Sequence, residues 1–162
     1  MKLAEKKWKE FKVVEIFECS TTSALNINVA EEGDIPYVTR SALNNGVSNF
    51  FSNSDKKVKG NCITVGAEGV VAFYQEDDFI PGVKVYTIRY PEINKFNAFF
   101  VCTLLNLKKP LYSYGRARIL QKLKNEDIKL PVNEKNEPDW MFMENYVKEI
   151  WGGVFRNINS LY

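Results

Sequence analysis

Residues 97–107, NAFFVCTLLNL, are apolar on nearly every side of a helical wheel. Such a helix has no face to offer water and must be surrounded by other elements. Asn97 is placed to cap it and Pro110 to end it. The surrounding segments read mostly as short strands. Residues 35–40, IPYVTR, are β-prone, with Pro36 at a strand start or edge. Residues 61–65 and 70–74 form a hairpin about the turn Gly66, Ala67, Glu68, Gly69. Residues 83–89 alternate like a half-buried strand, and 128–131 form a short strand ending at Pro131. Residues 8–18 mix periods of 2 and 3.6, as a strand running into a helical turn does. Residues 19–34 lack periodicity and read as a loop, and Asn44, Asn45 and Gly46 signal a turn. A second helix is expected over 116–124, with Ile119, Leu120 and Leu123 inward and its cations outward. One buried helix among several strands predicts a mixed α/β (α+β) domain, with a twisted mixed β-sheet, a few helices and a C-terminal helix.

The domain is expected over residues 1–137. A helical tail follows over 138–162, with Asp139 as its N-cap. Trp140, Met143, Val147, Ile150 and Val154 recur at spacings of three and four, the seam of a helix that packs on its own domain or on a partner. Gly152 and Gly153 interrupt that seam, at about 1 kcal/mol of helix stability each.

Composition removes whole classes of chemistry. The chain has no histidine, so Ser-His-Asp and Cys-His nucleophile systems are excluded. Cys19, Cys62 and Cys102 are odd in number and far apart, which argues against a disulfide framework or a zinc site. Cys62 and Cys102 sit in apolar runs, as small buried hydrophobes do. No phosphate-binding glycine loop and no cofactor-binding glycine motif is present. No cofactor, no metal and no catalytic residue is therefore expected. Glu76, Asp77 and Asp78 are the one acidic run that could serve a divergent metal-dependent nuclease, but three adjacent acids cannot all converge on one ion. The apolar runs are too short to span a bilayer, and the basic N-terminus is followed by no signal-peptide core. A cytoplasmic protein without a membrane partner is the expectation.

Charge is unevenly distributed. Residues 13–107 carry a net −4, whereas residues 108–129 carry a net +5 from Lys108, Lys109, Arg116, Arg118, Lys122, Lys124 and Lys129 against Glu126 and Asp127. A basic block on a nearly neutral chain suggests one anion-binding face; a solvated helix face is the alternative. Arg40, Asn44 and Asn45 lie near a strand end and a turn, and Gln75 flanks the hairpin. Arg, Asn and Gln side chains read base edges in the major groove. Tyr114, Arg116 and Arg118 lie where a loop enters a helix, a place suited to phosphate. Tyr112 and Tyr114 read equally well as core aromatics.

The order of these segments resembles a target recognition domain of type I restriction–modification specificity subunits and related type IIG/IIB systems. The resemblance is carried by GDIPYVTRS (33–41) with Asn44, Asn45 and Gly46, by NCITVG (61–66), FYQ (73–75), YGRA (114–117) and IKLP (128–131), and by PDW (138–140) with FME (142–144). It implies a non-catalytic domain that reads one half of a bipartite double-stranded DNA site for modification (methyltransferase) and restriction subunits. Under it, Lys108, Lys109, Arg116, Arg118, Lys122 and Lys124 are candidate phosphate contacts. Arg40, Asn44, Asn45, Gln75 and Tyr114 are candidate base or sugar contacts. Such subunits usually carry two recognition domains; one is present here. That leaves a half subunit pairing with itself through the C-terminal helix, a split chain or an excised domain. A decoy that engages methyltransferase subunits without touching DNA is the remaining alternative.

Overall fold

The computed structural model describes residues 2–52, 55–68, 71–113 and 115–159, with side chains up to residue 153. The strands are β1 (Trp8–Lys12), β2 (Glu18–Thr21), β3 (Glu32–Val38), β4 (Val47–Phe51), β5 (Cys62–Gly66), β6 (Ala72–Gln75), β7 (Ile80–Pro81), β8 (Val85–Arg89) and β9 (Asp127–Pro131). The helices are α1 (Val13–Ile16), α2 (Lys95–Asn106), α3 (Leu120–Asn125) and α4 (Trp140–Asn159). The mixed α/β class is as expected. In place of one sheet there are three: an antiparallel sheet β2-β8-β5-β6, a mixed sheet β4-β3-β7 and the pair β1-β9.

The four-stranded sheet lies between two layers because its strands are apolar on both faces. Ile63 and Val65 of β5, with Tyr86 and Ile88 of β8, join the main core with Ala98, Val101 and Leu105 of α2 and with Met143 and Val147 of α4. Their strand neighbours Cys62 and Val85 point the other way and meet Val38 of β3 and Phe79. This is the period of two acting on a strand that is buried from both sides. Each fully buried side chain of this kind contributes about 1.5–3 kcal/mol.

Several boundaries differ from the sequence reading. The loop expected over 19–34 contains β2 and the start of β3, held by pairing to β8 and β4. The cap of α2 is Asn94, whose side chain accepts from the amides of Phe96 and Asn97. Asn97 is buried at the third helical position, accepts from the Tyr90 hydroxyl at 2.8 Å and completes a capping box. Helix α3 begins at Leu120, so Arg116 and Arg118 precede it, and Ile119 is exposed instead of inward. Asp139 does cap α4, accepting from the Phe142 amide at 3.0 Å. Helix α4 continues through Gly152 and Gly153 to Asn159.

The tail seam packs on its own domain. Met143 and Val147 are buried in the main core, and Trp140 stacks on Tyr90 with ring centroids 4.4 Å apart. These three are therefore not free to meet a partner. Ile150 is 47% exposed, and the Val154 side chain lies outside the described residues.

Asn94 also donates to Glu144 of α4 at 2.9 Å, tying cap to tail. Replacing Asn94 by Ala should cost about 1–2 kcal/mol, read as a lower urea midpoint with an unchanged slope. Asn94→Asp keeps the capping acceptor but sets a carboxylate against Glu144, and should lose an intermediate amount.

Candidate nucleic-acid interface

One end of the four-stranded sheet gathers basic side chains from four separate parts of the chain. At this end β5 finishes at Gly66, β6 begins at Ala72 and β8 begins at Val85 beside Gly66. The segment after β3 crosses over β5 here, and Gly66 allows it. A Cβ on Gly66 would lie 2.7 Å from the Arg40 Cα, closer than packed atoms approach. Arg40 is thereby held beside the hairpin turn, where its guanidinium pairs with Glu68. Lys84 reaches the other oxygen of the same carboxylate at 3.3 Å.

The 112–119 segment joins this turn through the backbone. The Arg118 amide donates to the Ala67 carbonyl at 2.8 Å, and the Ala67 amide donates to the Lys84 carbonyl at 3.0 Å. Ser113 and Arg116 bridge each other around Gly115, whose φ of +85° favours glycine. The Arg116 side chain is exposed, and Lys122 leans back to the Ala117 carbonyl at 3.3 Å. Helix α2 also ends here, because Asn106 holds both the amide and the carbonyl of Ala72. Lys108 and the exposed Lys109 follow it. Lys108 and Lys129 line a groove of about 280 Å³ with Leu104, Leu107 and Ile128.

Arg118 departs from its expected role. It is 0% exposed and forms a two-pronged pair with Glu126, with Nε donating at 2.7 Å. Its guanidinium also lies 5.4 Å from the centre of the Tyr112 ring. A buried guanidinium already matched to a carboxylate has no route to a phosphate, so Arg118 is a structural cation. Tyr112 donates to the same carboxylate. Burial and that carboxylate push its hydroxyl up to about 12. Lys124 is half-buried, whereas Lys122 is exposed.

The expected base-reading residues do not form one cluster. Gln75 is 5% exposed, and its amide donates to the Asn45 carbonyl at 2.9 Å and to Thr64 Oγ1 at 3.0 Å. Asn45 donates back to the Tyr74 carbonyl and to Gln75 Oε1. The pair covers the β6 edge at the end of that strand away from the hairpin turn, so Gln75 is committed to the fold and not offered to a base. Asn45, with a left-handed φ of 55°, keeps an exposed position beside it. Asn44 is exposed and donates to the Val47 carbonyl at 3.1 Å. Tyr114 lies outside the described residues.

The acidic run also lies at the far end of the sheet, and its members diverge. Glu76 pairs with Lys95 at 2.7 Å, while Asp78 pairs with Lys59 at 2.9 Å. The Gly60 amide and then Lys59 hold the Asp78 carboxyl below its usual range. Among the described residues no group of three or more potential metal ligands converges. No helix among them is long and apolar enough to cross a membrane. Lys84 and Glu68 are the members of the basic end that sequence reasoning passed over. Lys84 falls in a segment that alternates like a strand, but it adopts φ of 56° at the turn just before β8.

The family model of the type I restriction modification DNA specificity domain matches residues 5–154. A curated relative is the type II restriction enzyme BgcI specificity subunit S.BcgI of Heyndrickxia coagulans. It is 29% identical over 159 residues, which cover 94% of this chain and 46% of that protein. The chain thus spans about half the length of this relative. Two solved structures share the fold. The type I restriction-modification system S subunit from M. genitalium superimposes with a TM-score of 0.63 at 14% identity, covering 98% of this chain and 43% of that one. The HsdS subunit from Thermoanaerobacter tengcongensis gives 0.60 at 13% identity, covering 100% and 41%. With nearly its whole length inside the family model and its fold shared with two S subunits, the chain belongs to the type I restriction modification DNA specificity domain family.

Proposed function

We propose that this chain recognises one half of a bipartite double-stranded DNA site, and that the hairpin-turn end of its main sheet grips the duplex. The observation that carries this reading is the convergence of Arg40, Lys84, Arg116 and Lys122 on one turn of a specificity-domain fold. Lys108 and Lys109 extend the basic surface. Lysines act on phosphates as point charges, and arginine also matches phosphate or guanine in two-pronged fashion. Arg40 and Asn44 are the side chains assigned to bases, and Arg116 to the backbone. The role is recognition, with cleavage and methylation left to modification and restriction subunits in the cytoplasm.

Helix α4 is the element assigned to assembly, with such a subunit or with a second copy of the chain. Its Ile150 is half exposed, next to Trp151, whose ring packs on Phe96 and Phe99 of α2.

Affinity for random duplex should fall with salt at a log–log slope of about −4 to −5 if four to six cations meet phosphates. A flat response would sink the reading. Arg116→Ala should weaken all duplexes alike and reduce that slope by about 1, whereas Asn44→Ala should relax preference at one base pair. Arg118→Ala should instead lower folding stability by about 3–5 kcal/mol, since it strands Glu126 in the interior. Chemical denaturation separates it from Arg116→Ala, which should unfold like the wild type. Light scattering tests assembly: self-pairing through α4 should give a dimer mass that Ile150→Glu halves, and a monomeric wild type overturns it.

A further inference from the structure

We propose that Tyr112, Arg118 and Glu126 form a buried staple whose task is to hold the exposed Arg116 in one position at the hairpin-turn end. This inference rests on the reading of Arg116 as a phosphate contact. Tyr112 and Arg118 stand on either side of Arg116 in the sequence, and both donate to the carboxylate of Glu126. The Arg118 side chain is 0% exposed and that of Glu126 8%. The Arg118 guanidinium also lies over the Tyr112 ring. The two flanks of Arg116 are thus brought to one point inside the protein.

Two members of the staple, Arg118 and Glu126, are also tied to different elements. The Arg118 amide holds the Ala67 carbonyl of the hairpin turn, where Glu68 gathers Arg40 and Lys84. The Glu126 carbonyl accepts from the Val13 amide at 2.9 Å, which anchors it to α1. Between the flanks, the Arg116 amide donates to the Ser113 carbonyl at 2.8 Å. A Cβ on Gly115 would meet nothing within 4 Å, so the turn is open on that side.

A buried ion pair is a poor device for stability alone, because well-packed apolar side chains of similar volume do as well or better. It is a good device for geometry. The planar guanidinium meets the carboxylate along two directions at once, which methyl groups cannot reproduce. A cation held in place before binding loses less freedom when it meets a phosphate. Glu126 also neutralises Arg118, so the outward field at this turn belongs to Arg116.

The test replaces Arg118 by Met and Glu126 by Leu together in the full chain, with Tyr112→Phe as the milder variant. Three quantities are measured: thermal midpoint, amide exchange of residues 115–117, and affinity for a random 20-base-pair duplex at low salt. Stoichiometric titration gives the active fraction, so partial unfolding is not mistaken for weak binding. The double variant should melt near the wild type, exchange faster at Arg116 and bind about tenfold more weakly at an unchanged active fraction. Tyr112→Phe should shift exchange and affinity in the same direction by less. Wild-type exchange and affinity in the folded double variant would overturn the staple. If the double variant does not fold, the same result in Tyr112→Phe overturns it. If the wild type shows no salt-dependent binding, the DNA reading fails, and exchange at Arg116 alone decides the staple.

Discussion

Everything at the basic end depends on the burial of β5 from both sides. All five residues of this strand are buried. Helix α2, with α4 packed on it, covers the face carrying Ile63 and Val65, and the β3 layer covers the face carrying Cys62. A strand enclosed in this way has little freedom to slide, because a shift of one residue would exchange the two faces. Ala67 and Glu68, which follow β5, therefore stand at a fixed place. Arg40 reaches them across Gly66, Arg118 binds them through Ala67, and α2 ends beside them through Asn106.

The same turn sorts the positive charges by depth. Arg116 and Arg118 are two residues apart and have opposite fates: one exposed, one wholly buried against Glu126. The segment 108–129 loses one effective cation to the interior. The surface regains two, Arg40 and Lys84, from segments that are acidic in sum. Glu68 lies between them and keeps their mutual repulsion low. A charge count along the chain therefore marks a basic segment but not which of its cations reach the surface.

Some of the fold was legible because it depends on local pattern. The strands within 61–65 and 83–89, the apolar helix before Pro110 and the Asp139 cap are local signals, and each reappears in the structure, though β8 is buried on both faces instead of half-buried. What failed depended on partners distant in sequence. Residues 19–34 carry no period, yet Glu18–Thr21 becomes a strand because β8 offers it an edge. Gln75 has the chemistry of a base reader, but Asn45 and Thr64 absorb its hydrogen bonds. Asn94 is a better cap than Asn97 because Tyr90 claims the Asn97 side chain within the core.

The sequence by itself determined the mixed α/β class, the lack of histidine chemistry, the basic segment after α2 and the order of motifs that marks the specificity-domain family. Those properties reside in composition, local periodicity and motif order. Only the tertiary structure decided which arginine faces water, which amides remain open and which cations share one surface. Burial and pairing are set by what folds against a side chain. Glu126 lies eight residues beyond Arg118 and Ala67 about fifty before it, and both are needed to take that cation inside.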